Sequence, residues 1–264
     1  ELLAPLWSEL KPSSQIALGI CANLRGQATI EQIRIAGELD EGEASVAVKD
    51  LLSVGLLRTV RATDRPNVFI CASAVRRFVN AQTPVRRRAE FTSRLAAHYT
   101  GYFSRHWEDA HTATHHLNGL RMTIANLREE GRDPELQQLF GNTLDLFFTL
   151  GRFADRIELG GLAYDSAIRS GDHRAASLAC SVISSTHAIR GEMDAAREAL
   201  ALGLVAAERS GSAAEKARQM RDTGFIRYRS REAEQALSAV EGAEELALAD
   251  GDLNNRVDII GVQM

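Results

Sequence analysis

The stretch AIRSG at residues 167–171 decides the reading of this chain once it is set beside NLREEG (126–131), AAERSG (206–211) and LALADG (246–251). Each is the end of a helical pattern closed by a glycine. The glycines, Gly131, Gly171, Gly211 and Gly251, stand 40 residues apart. Glycine just past a helix end takes the left-handed conformation that closes the last turn without a Cβ clash. Ala167, Ala207 and Ala247 keep the same step, four residues before their glycines, where a small side chain lets two helices approach closely. Gly151 and Gly191 fall midway through two of the repeats, and the matching position in the next is Arg231. Each unit therefore reads as helix, tight turn, helix, glycine stop.

The segments between are amphipathic. Met193, Ala196, Leu200, Leu204 and Ala207 are expected on one face, as are Ala233, Ala236, Leu237, Val240, Ala247 and Leu248 one repeat later. A single helical pair cannot bury such a face, whereas stacked neighbours can, so a fixed period of this length points to an α-solenoid. The units look like long tetratricopeptide-type hairpins, with HEAT-type pairs as the other option. Three repeats and the start of a fourth fill 132–264.

Residues 1–82 read differently. Pro12 opens a helix that carries Ile16, Ala17, Ile20, Cys21 and Leu24 on one face, and Gly26 ends it. Thr29 with Gln32, and Asp40 with Glu43, are capping boxes that open two further helices. Then LLRTV (56–60), a turn at Asp64-Arg65-Pro66-Asn67 and VFI (68–70) form a β-hairpin, followed by a helix at about Ala72 to Val79. Three helices and a hairpin in this order make a winged-helix domain. Residues 83–131 are expected to be a helical linker or atypical first repeat. The whole is mostly α.

Composition excludes several functions. The chain is 45% hydrophobic and 25% charged with a net charge of −4, where a dedicated nucleic-acid binder carries a basic excess. The winged helix's third helix begins DEGEASVAVKD (40–50), and its carboxylates would face phosphates, so DNA is not expected as a partner of this segment. Three scattered cysteines (Cys21, Cys71, Cys180) suggest no disulfide framework and a cytoplasmic setting. Cys180 sits in an apolar helical stretch and is expected to be a small core residue. No apolar run is long enough for a membrane span. The sequence opens on Glu1 and closes inside an apparent helix, so it is expected to be a piece of a longer protein.

No catalytic or metal site is expected. His106, His111, His115 and His116 lack HExxH spacing, and Gly160-Gly161 lies within a helical pattern that points to close packing or a kink. The expected partner or ligand groove draws on His187, Arg221, Arg227 and Tyr228, from the first helix of their repeats. Arg76, Arg77, Arg86, Arg87 and Arg88, with Arg94 beyond, form the most basic stretch and are expected to make an interdomain contact.

The order and the residues resemble the region that follows the nucleotide-binding domain in STAND-class signalling NTPases, the NB-ARC and NACHT group. The resemblance rests on VFICASAVRRFV (68–79) with Phe69, Val75, Arg76 and Phe78. It rests also on HLNGLRMTIANLREEGRDPEL (116–136) with Asn118, Leu120, Arg121 and Leu127, and on TLDLFFTLGRFADRIELGGLAYDSAI (143–168). It implies a regulatory and sensor fragment. The parent's own nucleotide-binding domain, a protein or peptide, or a small-molecule effector would be its partners, with oligomerisation on activation. ATP or ADP would belong to the parent; there is no cofactor in this segment and no GxxxxGK[ST] loop. Cys71, Ala72 and Ser73 stand where many NB-ARC proteins carry a Met-His-Asp triplet whose histidine touches bound ADP. A DNA-binding winged-helix regulator with a repeat sensor and a plain interaction scaffold are the alternatives.

Overall fold

The computed structural model describes residues 3–60, 66–106 and 110–250. Among them the chain is mostly helical, with one small sheet, and it divides into two compact units, 1–135 and 136–264.

The first unit is built around α2 (Pro12–Asn23). This helix is buried almost all round: Ala17, Leu18, Gly19, Ile20, Cys21 and Ala22 are all covered. A helix apolar on every side needs neighbours on every side, and α2 packs against α3 (Ile30–Gly37), α4 (Glu41–Ser53), α5 (Ser73–Gln82) and α6 (Val85–His106). Both capping boxes form. Thr29 Oγ1 accepts from the Gln32 amide while Gln32 Oε1 accepts from the Thr29 amide, and Asp40 and Glu43 make the same exchange. The expected strands appear as β2 (Arg58–Val60) and β3 (Val68–Ile70), paired antiparallel with Thr59 opposite Phe69. Asp64 and Arg65 of the expected turn lie outside the described residues. A third strand, β1 (Gln27–Thr29), pairs with the other edge of β3, so the order is β1-β3-β2. Its three residues lie between a glycine and a helix cap, too short for any alternation to show in the sequence.

The short helix α1 (Leu3–Glu9) sets Trp7 edge-on to Phe78 of α5. The long helices α6 and α7 (Ala110–Glu129) pack on each other, and α6 lies on α2 and α3, burying Phe91, Leu95, Tyr99 and Phe103. Arg94 ties α6 to the end of α3, donating to the Ala36 carbonyl and pairing with Glu38 at 2.7 Å.

The second unit is a series of helices joined by two- or three-residue turns: α8 (Asp133–Gly141, which spans the boundary), α9 (Leu144–Thr149), α10 (Phe153–Ser170), α11 (His173–Ile189), α12 (Met193–Ser210), α13 (Ala213–Arg229) and α14 (Ala233–Asp250). From α9 onward each packs on its neighbour in sequence, and α11 also on α13. Positive φ recurs every 20 residues, at Gly151, Gly171, Gly191, Gly211 and Arg231. The local closure repeats as well. The amides of residues 152, 172, 192 and 232 donate to the carbonyls of Phe147, Ala167, His187 and Arg227, each at 2.9 Å. These are the bonds of a Schellman stop.

The buried stripe follows the sequence reading at Ala196, Leu200, Ala207, Ala236, Val240 and Ala247 but departs from it at Leu204, Leu237 and Leu248, which are exposed, as is Ala233. The seam between helices is narrow. A Cβ on Gly160 would lie 2.8 Å from Ile183 Cγ1, and one on Gly224 would strike Val240. Helices this close bury alanine and glycine and turn the longer leucines outward. Gly160 is thus a close-packing position, as expected, while nothing lies within 4 Å of a Cβ on Gly161.

Arg231 holds the left-handed conformation at φ 65° where the other turns use glycine. A Cβ at Gly191 meets nothing within 4 Å, so the preference there is one of backbone alone. Arg231→Gly should therefore raise, and Gly191→Ala should lower, the unfolding free energy of this unit by about 1 kcal/mol each. Urea denaturation followed by circular dichroism measures both, and equal midpoints for the two variants would refute the account.

Candidate functional site

The basic stretch divides by geometry. Thr83 is extended (φ −84°, ψ 118°) ahead of Pro84, as a residue before proline prefers, and the chain turns there from α5 into α6. The turn sets Arg88, in the first turn of α6, over the same cleft as Arg76, Arg77 and Asn80 of α5. The cleft has a volume of about 650 Å³. Its floor is the end of α2, Ala22 to Arg25, and its far wall is the end of α7, with Asn126, Glu129 and Glu130.

Hydrogen bonds hold these walls. Arg76 Nη1 donates to the Arg25 carbonyl at 2.8 Å, and Asn126 Nδ2 donates to the Asn23 carbonyl at 3.0 Å, so two side chains satisfy carbonyls left open where α2 stops. The carboxylates are already matched. Glu129 pairs with Arg25 at 2.9 Å, and Glu130 accepts from Thr92 Oγ1 and from Arg132. Arg76, Arg77 and Arg88 pair with no carboxylate among the described residues, and Asn80 Oδ1 is buried without a donor. Arg86 and Arg87 are absent from the cleft: Arg86 pairs with Glu90 along α6, and the Arg87 guanidinium lies 5.7 Å from the Phe91 ring centroid.

In the second unit, His187 of α11 and Arg221, Arg227 and Tyr228 of α13 lie on helices that pack together. His187 and Arg227 occupy equivalent positions one 40-residue step apart, and both are engaged within their own hairpins. His187 Nδ1 lies 2.6 Å from Glu192 Oε2, and Arg227 donates to Gln235 of α14. Arg221 donates through Nε and Nη2 to Asp222 Oδ1, at 3.1 and 2.9 Å. Tyr228 is 65% exposed.

A half-buried arginine between α10 and α11 escaped the sequence reading. Arg156 of α10 donates to Thr186 Oγ1 of α11 at 2.7 Å, with its guanidinium against the Phe148 ring. Burial lowers the Arg156 pKa, and Asp145 and Asp222 partly restore it. Asp222 itself is 3% exposed, and its Oδ2 has no hydrogen-bond partner. The signal lay in the repeat: positions 196 and 236, one and two steps from Arg156, hold buried alanines, so the arginine is out of pattern.

The side chains of His106 and His111 lie outside the described residues. His116 of α7 is buried, its ring 4.6 Å from Tyr102 and 5.9 Å from His98, with Nε2 3.9 Å from Glu31 of α3. His98 Nε2 is buried without a partner. Tyr99 accepts from Gln32 Nε2 in the same cluster. Among the described residues no three metal-ligating side chains gather. Cys180 is buried, as expected, and desolvation pushes its thiol up to about 12.

No protein-family model matches the chain, and no curated protein sequence matches it. Among the described residues no helix is long and apolar enough to cross a membrane.

Burial lowers the pKa of both His98 and His116. Glu31 opposes the shift at each, while a neighbouring histidine adds to it: His116 at His98, and His115 at His116. A histidine kept neutral by burial binds fewer protons folded than unfolded. Its contribution is complete above its ordinary value of 6.5 and is lost as pH falls below it. Stability should therefore decline between about pH 6.5 and 5, and His98→Phe should flatten that decline. A variant whose stability falls as steeply as the parent's would exclude His98 as its source.

Proposed function

We propose that this chain is the regulatory and sensor region of a STAND-type signal-transduction ATPase and is not itself an enzyme. The first unit supplies the winged helix, with α2, α3 and α4 as its helices, β2–β3 as the wing and β1 closing the sheet. It docks on the parent's nucleotide-binding domain and holds it closed. The second unit is the tetratricopeptide-like solenoid that receives a protein or peptide, with His187, Arg221, Arg227 and Tyr228 near its receiving surface. A bound partner opens the parent by binding one state more tightly than the other, since nothing else shifts a conformational equilibrium. ATP or ADP is the parent's cofactor, the setting is cytoplasmic, and opening permits oligomerisation.

The observation that supports this reading is the order itself. Three helices and a hairpin, α2 to α4 with β2–β3, are followed, after α5, α6 and α7, by helices that reverse at a fixed 20-residue spacing of left-handed turns. That is the order in the region the sequence resembles. An α-helical array of this kind offers a long surface and no enclosed catalytic chamber.

Direct DNA reading by the third helix is opposed by its surface. Glu41 and Glu43 are exposed at the start of α4, and Asp50 is engaged by Lys11 at 3.1 Å. Carboxylates there repel the phosphates that supply most protein–DNA affinity.

The test is nucleotide exchange in the parent protein. Removing the segment that corresponds to this chain should speed release of bound labelled ADP by about tenfold or more, the scale of a coupling free energy of 1–2 kcal/mol. Equal release rates with and without the segment, or a parent without a nucleotide-binding domain, would leave the scaffold reading in its place.

A further inference from the structure

We infer that the arginine cleft of the first unit is a binding site for a phosphorylated small molecule, a phosphomonoester carrying a hydroxyl donor. The inference stands whether or not the parent is an ATPase.

Three observations carry it. First, the charges converge without a counter-ion. Arg76, Arg77 and Arg88 face one cleft of about 650 Å³, while the two carboxylates on its rim are matched by Arg25 and Arg132. Three guanidinium groups repel one another across a concave wall, and an anion between them relieves that repulsion. Planar guanidinium forks suit a phosphate dianion, whose oxygens accept paired N–H donors.

Second, the cleft opens at the wrong end of a helix for so many cations. Arg86, Arg87 and Arg88 fill the first turn of α6, which has no acidic residue, and Val85 of that turn lines the cleft. The first turn is the positive pole of a helix, where basic side chains cost about 0.3–1 kcal/mol each and anions are favoured. Local rules broken in this way concentrate at functional sites. The same free amides that make the arginines unfavourable add donors for a phosphate.

Third, Asn80 Oδ1 is a buried acceptor with no donor among the described residues, beside the arginines. An orphaned acceptor costs roughly 1–3 kcal/mol. A ligand hydroxyl next to its phosphate supplies the missing proton. The volume fits a small ligand, within the roughly 300–1,000 Å³ of such sites. A nucleic acid would instead meet a chain of net charge −4.

The experiment is calorimetric titration of the full chain with ribose 5-phosphate, inorganic phosphate and ribose at constant ionic strength. The side chains of Arg77 and Arg88 make no hydrogen bond or ion pair among the described residues, so Arg77→Gln and Arg88→Gln remove charge without removing a tie that holds the fold. Arg86→Gln removes the same charge from the same helical turn outside the cleft. The expected result is saturable binding of ribose 5-phosphate that weakens about tenfold or more in each cleft variant and about twofold or less in Arg86→Gln. Inorganic phosphate should bind more weakly, ribose not at all, and Asn80→Ala should abolish the advantage of the sugar phosphate over phosphate. Absence of saturation overturns the inference. So does equal weakening by Arg86→Gln, which would mark diffuse attraction, and so does unchanged binding in both cleft variants. Binding of phosphate and sugar phosphate with one affinity in the parent chain would overturn the role of Asn80.

Discussion

The left-handed residue that ends each helix from α9 to α13 is the constraint on which the second unit depends. A helix that must double back has to stop at a defined residue, and a left-handed backbone there is a low-cost way to close the last turn. Here the stop falls every 20 residues, from Gly151 to Arg231. The helices between are 17 or 18 residues long from α10 onward, so each presents the same length of face to the next. A stop displaced by one residue would rotate the following helix by about 100° and turn its small side chains away from the seam. The first unit uses the same device at Gly26, Glu38 and Gly55, where α2, α3 and α4 end.

Small side chains convert that register into packing. Gly160, Gly203 and Gly224 sit where a Cβ would collide with the neighbouring helix, and the buried seam is largely alanine. Close approach gains many weak dispersion contacts along the backbone, and it leaves leucines such as Leu202 and Leu237 on the outside. The array is correspondingly able to hold polar groups inside. Gln219 donates to the Ser177 carbonyl at 2.9 Å, and Arg156 reaches Thr186, both bridging helices where an apolar side chain would only fill space. Buried polar groups that lack full partners, such as Asp222, are costly, and they restrict which arrangement of the helices is tolerated.

The first unit has a different logic. One central helix, α2, is covered on all sides, and the end of that helix becomes the floor of the arginine cleft. The side chains that satisfy its open carbonyls, Arg76 and Asn126, come from α5 and α7. The cleft is thus a consequence of how α2 is capped, and its walls are held by bonds independent of Arg77 and Arg88. That separation lets those two arginines be available to a ligand while the fold is maintained by others.

The sequence by itself determined where many of the helices start and stop. Capping boxes at Thr29 and Asp40 and the spaced glycines are local chemistry, encoded within four or five residues and readable without knowing what lies opposite. The same locality made the hairpin VFI (68–70) legible and hid β1, whose only reason to be extended is its pairing with β3. Tertiary structure decided which members of the periodic apolar sets go inside. Leu204 and Leu237 share the apolar periodicity of Leu200 and Val240, yet the narrow seam accepts only one row. It decided the fate of the arginines too. Arg76, Arg77, Arg86, Arg87 and Arg88 look alike as a run, but the turn at Pro84 sends Arg88 back over α5 and leaves Arg86 outside. Charge is a property of the residue. Convergence of charges is a property of helix directions, and these are set by contacts between residues far apart in the chain.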